Sequence, residues 1–152
     1  MNYKIEMLTN MKMVYMRNIG PYGSKENVEM MKKFKKWIKE HQFNDELKKH
    51  GIYGVSQDDP ARTLPENCRY DLMFMTNRDF SKDQLVQTGH VEGGMYAVFT
   101  VTHTVEKVNL FWTQLPQMIQ HNQLNMRDAP IMERYREEEG VDKVCEFLLP
   151  IF

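Results

Sequence analysis

The chain ends on a strand-like apolar run, VCEFLLPIF (Val144 to Phe152), that contains one acidic residue, Glu146. An unpaired carboxylate in an apolar environment costs several kcal/mol or has its pKa raised, so its presence there needs a reason. Side chains alternate along a strand, which would let Glu146 simply point to water. The other interpretation places Glu146 in a pocket that receives a positively charged group.

Further acids and aromatic residues could line such a pocket. Glu133 and Tyr135 share one face of the predicted strand IMERYRE (131 to 137), and Trp112 lies on the apolar side of a predicted helix. A carboxylate among aromatic rings would bind an amphipathic cation through charge pairing and cation–π contact. With its pKa raised by desolvation, the same carboxylate could act as a general acid or base.

Glu133 has a second interpretation, as the internal partner of an arginine such as Arg134 or Arg17. Tyr70 and Phe99, from two strand-like runs, complete the set of candidate ligand-binding residues. The sequence leaves open whether Glu133 and Glu146 face the same cavity.

Several other kinds of site are not indicated. The five histidines show no paired metal-ligand spacing and the two cysteines stand far apart, so no metal and no cofactor is expected. The sequence has no Gly-x-Ser-x-Gly elbow, no phosphate-binding glycine loop and no dinucleotide fingerprint. It also lacks a helix-turn-helix pattern, so we expect no sequence-specific DNA binding.

The composition predicts one cytoplasmic domain over residues 1–152. The hydrophobic share of 41% and the charged share of 27% are ordinary for a globular chain of 152 residues. A net charge of -1 gives no general attraction to nucleic acid or to anionic membranes. No apolar run reaches the roughly 20 residues of a membrane-spanning helix, and the N-terminus lacks a signal-peptide core.

For the first half of the chain, the sequence pattern predicts strands, a helix and two more strands. Residues 3 to 18 alternate in two runs around Thr9-Asn10, and Ser24 can cap a helix with apolar residues at helical spacing. A short helical stretch is predicted from Asn44 to His50. The runs GIYGVSQDD (51 to 59) and CRYDLMFMT (68 to 76) follow as strands.

For the second half of the chain, the sequence pattern predicts the same order of elements. A polar connection leads to a long strand opened by Gly93-Gly94, and a helix follows from Val105. Pro116 should kink that helix or delay its start. The strands IMERYRE and VCEFLLPIF then close the chain, separated by a turn at Glu139-Gly140.

This repeated order suggests an internal duplication, with halves at about residues 1–80 and 88–152. When RYDLMFM is laid over VCEFLLP, Asp71 falls opposite Glu146. An α+β fold with an antiparallel sheet, two helices and a pocket at the junction of the two halves is therefore expected.

Six segments together resemble the GyrI-like (gyrase-inhibitor-like) small-molecule-binding family. They span about residues 2 to 151 and read MNYKIEMLTNMKMVYMRNIGPYG, GIYGVSQDDP, CRYDLMFM, GGMYAVFTV, APIMERY and CEFLLPI. The family includes the effector-binding domains of AraC-type and MerR-type multidrug-sensing regulators. The resemblance implies tandem strand–helix–strand–strand units (SHS2-type) related by a pseudo-twofold axis.

The resemblance also implies a role for Glu146. In multidrug-sensing relatives, a glutamate in the last strand forms the floor of an aromatic-lined pocket and pairs with cationic drugs. Glu146 in CEFLLPI matches that position, and Tyr135 and Trp112 match aromatic positions of the family. Because this chain starts directly on the first strand, we expect a stand-alone module rather than a regulator with its own DNA-binding domain.

Three functions are compatible with these features. The favoured one is a binding module for hydrophobic, cationic or planar xenobiotics with Glu146 as pocket acid, which sequesters its ligand or acts with a separate regulator. The second is a hydrolase of cyclopropane-bearing alkylating toxins that uses Glu146 as general acid/base. The third is an inhibitor of DNA gyrase that acts through its protein surface, where a lysine-rich helix could meet an acidic partner.

Overall fold

The computed structural model describes residues 2–136 and 143–152, which form an eight-stranded antiparallel sheet with three helices. The strands are β1 (Lys4–Leu8), β2 (Met11–Ile19), β3 (Ile52–Ser56), β4 (Arg69–Met75), β5 (Gln87–Val91), β6 (Gly94–Thr102), β7 (Met132–Tyr135) and β8 (Val144–Ile151). The helices are α1 (Lys25–Glu40), α2 (Asn44–His50) and α3 (Val105–His121), with a short 3-10 turn at Pro65–Asn67. The expected α+β fold is confirmed.

The sheet consists of two halves that meet where β3 pairs with β7, a junction we call the seam. The strand order is β1-β6-β8-β7-β3-β4-β2-β5. Outward from the seam, one half runs β3, β4, β2 and the other runs β7, β8, β6. In each of these sets of three, the outermost strand (β2 or β6) comes first in the chain, its helix follows, and the two inner strands come last, while β5 and β1 add an edge strand to either side. The two halves therefore repeat one topology on either side of the seam.

Helix α1 covers one half of the sheet. Ser24 caps it as predicted, because its hydroxyl accepts a hydrogen bond from the Asn27 backbone N–H at 3.4 Å. Met30, Phe34 and Trp37 lie on one face at helical spacing, and all three are buried against the sheet. The helix thus contributes the first of three hydrophobic clusters.

Helix α3 covers the other half. Thr104 caps it and the helix begins at Val105, so the alternative of a later start imposed by Pro116 is excluded. Phe111, Leu115 and Met118 are buried against β6 and β8. Along β8, Phe147 packs in this helix-side cluster, whereas the next residue, Leu148, packs in a third cluster on the opposite face.

Two details depart from the sequence analysis. Residues 87–91 form the edge strand β5, although only a polar connection was predicted before Gly93-Gly94. Its exposed side chains at Gln87, Thr88 and His90 hide the apolar alternation by which a strand is recognised. The predicted turn at Glu139-Gly140 lies outside the described residues. No helix in residues 2–136 and 143–152 has the length and apolar character needed to cross a membrane.

A candidate ligand pocket at the seam

A cavity of about 1680 Å³ opens between α1 and α3 above the seam. The residues around it come from both helices, from the inner strands and from the loop after β3. This volume accommodates a drug-sized molecule. The cavity is lined by Tyr22, Gly23, Asn27, Val28, Met31, Lys32, Lys35, Gly54, Ser56, Gln57, Asp58, Asp59, Pro60, Tyr70, His103, Val105, Val108, Asn109, Trp112, Ile131, Glu133, Tyr135, Arg136, Lys143 and Val144.

Glu133 forms the acidic centre of the cavity floor. It lies two residues before Tyr135 in β7, so both side chains point to the helix side, as the strand alternation predicted. The Tyr135 hydroxyl donates a hydrogen bond to the Glu133 carboxylate. The ring of Tyr135 also contacts His103, with centroids 5.2 Å apart. A chain of contacts therefore runs from the carboxyl toward the end of β6.

Gly54 creates the space in which the two tyrosines of the floor meet. It stands opposite Glu133 in the register of β3 with β7. A Cβ atom at Gly54 would lie 3.2 Å from Tyr135 Cε2 and 3.1 Å from Tyr70 Cζ, and still closer to the Tyr70 hydroxyl. Glycine inside a strand often marks such a close approach. The missing side chain lets Tyr70 reach across β3 toward Glu133.

The floor carries a carboxyl that resists ionisation. Burial raises the pKa of Glu133 to about 7 from its ordinary 4.5. Burial also raises the pKa of Tyr70, and the nearby charge of Glu133 adds to that shift. Within the described part of the chain, Glu133 forms no ion pair. At neutral pH the acid is therefore balanced between its neutral and charged forms.

The cavity walls are apolar and partly open. Trp112 is 40% exposed, and its ring stands edge-on to Phe147 at 5.3 Å and to Phe111 at 5.7 Å. Across the cavity Val28 is 53% exposed on α1, with Met31 one turn further on. Exposed apolar side chains that face each other across a cleft are typical of a site for flat hydrophobic molecules.

The mouth of the cavity carries basic groups. Burial lowers the pKa of His103, and the charges of Lys35 and Lys143 lower it further. Arg136 also lines this side, with its guanidinium 3.4 Å from the Glu146 carboxylate. The acid Asp58 faces the cavity, but its carboxylate is bonded to the Arg69 guanidinium at 2.9 and 3.0 Å. Among the described residues at the mouth, basic side chains therefore outnumber acidic side chains that have no partner of their own.

Glu146 lies on the opposite face of the sheet. It stands opposite Arg134 in the register of β7 with β8, and the two form hydrogen bonds of 2.9 and 3.1 Å. The same guanidinium binds Glu6 of β1 at 2.8 and 2.9 Å and contacts the Tyr53 hydroxyl at 3.3 Å. Burial opposes ionisation of Glu146, but the hydrogen bonds and charge of Arg134 outweigh it and hold the pKa of Glu146 below its usual range.

Comparisons with known proteins agree with this architecture. The family profile described as "GyrI-like small molecule binding domain" matches residues 1–151. The chain belongs to the GyrI-like family. YosT of the SPbeta prophage of Bacillus subtilis (strain 168), named as a candidate transcriptional regulator, is 43% identical over 151 residues, which cover 99% of each chain.

Two solved structures share the GyrI-like fold at low sequence identity. The C-terminal domain of EcmrR superposes with a TM-score of 0.68 at 10% identity, over 100% of this chain and 99% of that one. SAV2435, solved with tetraphenylphosphonium bound, superposes with a TM-score of 0.63 at 15% identity, over 100% and 94%. At these identities the similarity concerns the fold alone.

The structure brings together four of the six predicted site residues of this GyrI-like domain. Glu133, Tyr135, Tyr70 and Trp112 all line the cavity. Phe99 does not, because it is fully buried between Tyr3 and Phe111 in the core under α3.

The expected position of Glu146 in the pocket is corrected by its pairing with Arg134 on the opposite face. Glu133 and Glu146 therefore do not share one cavity. The alternative of an arginine partner for Glu133 is not observed either, because Arg134 and Arg17 pair with other acids.

Gly54, His103 and Lys35 were missed as parts of the GyrI-like pocket. The glycine inside the strand-like run GIYGVS was a usable signal for close packing. His103 and Lys35 had no signal of their own, because the fold brings them to the cavity from distant positions in the chain.

Replacing Gly54 by alanine is expected to disturb the floor. The added methyl group must displace Tyr70, which should lower the free energy of unfolding by about 1–3 kcal/mol and weaken binding of any probe in the cavity. Urea denaturation and a dye titration measure the two effects. Gly20→Ala is the matched control, because its Cβ would only approach Asn18 Nδ2 at 3.6 Å. Equal behaviour of the two variants would contradict the proposed role of Gly54.

Proposed function

We propose that this GyrI-like domain binds hydrophobic, planar small molecules in the seam cavity, with Glu133 as the pocket acid. One observation carries the proposal: a half-buried carboxyl without an ion pair in the described chain lies on the floor of an apolar cavity, where desolvation raises its pKa. Burying such a group is unfavourable for folding alone, and strongly perturbed groups in clefts tend to mark functional sites. We assign to Glu133 the role that the sequence suggested for Glu146, because Arg134 already neutralises Glu146.

The aromatic side chains define how a ligand would lie. A flat ring system would pack between Trp112 on α3 and Val28 and Met31 on α1, with its polar end toward Glu133 and Tyr135. Tyr70 would close the floor beneath it. SAV2435, a fold neighbour, was solved with the hydrophobic cation tetraphenylphosphonium, which makes this compound a useful probe beside planar dyes.

A thermal-shift and fluorescence titration of dyes against three proteins tests the proposal. Wild type should be stabilised by planar dyes. Glu133→Gln should weaken their binding about tenfold, because the complex loses one charge-assisted hydrogen bond. Glu146→Gln serves as the matched control, since it removes a carboxylate on the other face and should leave dye affinity unchanged once its stability effect is subtracted. Loss of binding in Glu146→Gln alone would refute the assignment. Binding of no probe by wild type would favour the alternative of a protein partner such as gyrase.

A second candidate function is hydrolysis. A carboxyl with a pKa of about 7 that is hydrogen-bonded to a tyrosine is suited to general acid or base catalysis near neutral pH. Glu133 would then take the place of Glu146 in the proposed opening of a strained alkylating ring by water. Turnover of a cyclopropane-bearing alkylating substrate by wild type, lost in Glu133→Gln while binding persists, would support the enzyme. Binding without turnover would support the binding module.

A further inference from the structure

We propose that the pocket is specific for planar weak bases: the ligand enters uncharged and takes the proton of Glu133 once seated. A permanent cation, in contrast, would bind only after Glu133 has lost its proton to solvent. This inference rests on the proposed function, because it assumes that Glu133 is the pocket acid. It adds the class of ligand and predicts how protons accompany binding.

The floor supports this specificity because, among the residues that the structure describes, no cationic group lies within ion-pairing distance of the Glu133 carboxylate. The groups that face Glu133 from its neighbours are Tyr135 on β7, Tyr70 on β4 and Cys145 on β8. Burial raises the pKa of Cys145 to about 12, with the charge of Glu133 contributing, so this thiol stays neutral. A permanent cation would therefore meet a protonated acid in part of the molecules.

A weak base can bind without Glu133 first losing its proton to solvent. The proton moves from a Glu133 carboxyl oxygen to the ring nitrogen, and the new N–H then donates a hydrogen bond back to the carboxylate. No proton leaves for solvent and the net charge of the complex equals that of its separate neutral components. The resulting charge-assisted hydrogen bond is stronger than one between neutral groups. A ligand whose nitrogen is methylated cannot form it.

The mouth adds a second, independent reason. Lys35 on α1, His103 after β6 and Lys143 before β8 line the entrance. Two further basic groups there have acidic partners: Lys32 on α1 lies 3.8 Å from Glu29, and Arg136 after β7 lies 3.4 Å from Glu146. A cationic ligand is repelled by the positive charges at the entrance, so an uncharged ligand passes it more readily.

The acids at the same mouth have their own partners. Asp58 binds Arg69, and Asp59 lies 3.7 Å from Arg62 and accepts a hydrogen bond from the Ala61 backbone N–H. Among the described lining residues, Glu133 is thus the acid that remains available to a ligand.

The experiment compares neutral red with its ring N-methylated derivative. Neutral red is a planar phenazine base that titrates near neutral pH and turns from yellow to red on protonation. Between pH 6 and pH 8 the affinity of the methylated dye should rise about tenfold, because its binding requires an ionised Glu133. The affinity of neutral red should change by no more than about threefold, with its maximum near pH 7. At pH 8, bound neutral red should show the red spectrum of its protonated form.

Three variants give the controls. In Glu133→Gln the affinity of the methylated dye should no longer depend on pH. Bound neutral red should stay yellow, and its affinity should follow only the uncharged fraction of the dye itself, which rises from pH 6 to pH 8. Glu146→Gln should behave as wild type. Lys35→Gln should raise the affinity of the methylated dye more than it changes that of neutral red.

Equal, pH-independent affinities for the two dyes, both reduced in Glu133→Gln, would overturn this inference and leave the proposed function standing. A bound neutral red that remains yellow in wild type at pH 8 would also overturn it. Failure of both dyes to bind wild type would overturn the proposed function and this inference together.

Discussion

Replacing Arg134 by methionine is expected to lower the free energy of unfolding by about 3–5 kcal/mol, the cost of leaving a buried charge without its partner. The Arg134 side chain is only 2% exposed and binds two carboxylates at once, Glu146 on β8 and Glu6 on β1. Methionine fills similar volume but supplies no donor. Among the described residues, buried Glu146 would then keep two longer ion-pair contacts, with Lys4 at 3.7 Å and Arg136 at 3.4 Å, and no hydrogen bond from a guanidinium at 2.9 Å.

The Arg134 network also holds the sheet together across its width. β1 and β7 are separated by β6 and β8 in the strand order, yet one guanidinium contacts Glu6 and lies beside the Tyr53 ring on β3. Its loss should therefore loosen an edge strand as well as the seam. Urea denaturation followed by circular dichroism gives the change in stability.

Two further variants make the Arg134 prediction specific. Arg17→Met removes the comparable partner of Asp71, but Arg17 is 32% exposed and Gln57 still binds Asp71 at 3.0 Å, so the loss should be smaller. The double variant Arg134→Met with Glu146→Gln should recover part of the stability, because no unpaired carboxylate remains at position 146. If Arg134→Met cost no more than Arg17→Met, the network would not have the strength ascribed to it.

Wild type is expected to lose about 3 kcal/mol of stability relative to Glu133→Gln as the pH rises from 4.5 to above 7. The pKa of Glu133 is raised in the folded chain, so folding favours its protonated form. That contribution is complete below the unfolded pKa of 4.5 and is lost as the pH rises through the folded pKa of about 7. Glutamine has no such titration, and the difference between the two proteins isolates this one group.

Glu146→Gln provides a control in which the difference in stability from wild type should change with pH in the opposite direction. The folded pKa of Glu146 is lowered, so its stabilising contribution is present above the unfolded pKa of 4.5 and is lost as the pH falls through its folded pKa. Urea denaturation of the three proteins at a series of pH values measures both slopes. A stability difference between wild type and Glu133→Gln that does not change from pH 5 to pH 8 would contradict the raised pKa and the unpaired state of Glu133.

The sequence was sufficient to predict the order of most elements. Helical periodicity located α1 and α3, because each has one strongly apolar face, and continuous apolar runs located β4 and β8, which are buried on both faces. The predicted equivalence of Asp71 and Glu146 corresponds to a real similarity, since both acids lie on the face away from the helices and each pairs with an arginine. The edge strand β5 escaped prediction because an exposed strand lacks that apolar signal.

The site was harder to predict than the fold. Period-two alternation correctly grouped Glu133 with Tyr135, yet it could not say which acid faced the helices. The decision depends on the register of β7 with β8, which sets Arg134 opposite Glu146 and turns Glu133 toward the cavity. Pairings between distant segments, such as Arg134 with Glu6, leave no local pattern in the sequence.

The most direct test of Glu133 as the pocket acid is a pH titration of the glutamate side-chain carboxyl ¹³C resonances, with Glu133 assigned by its absence in Glu133→Gln. In the free protein the Glu133 signal should titrate with a midpoint near 7, and at pH 6 it should move to its ionised position when neutral red binds. A midpoint close to 4.5, unaffected by ligand while the resonance of another glutamate responds instead, would contradict the account.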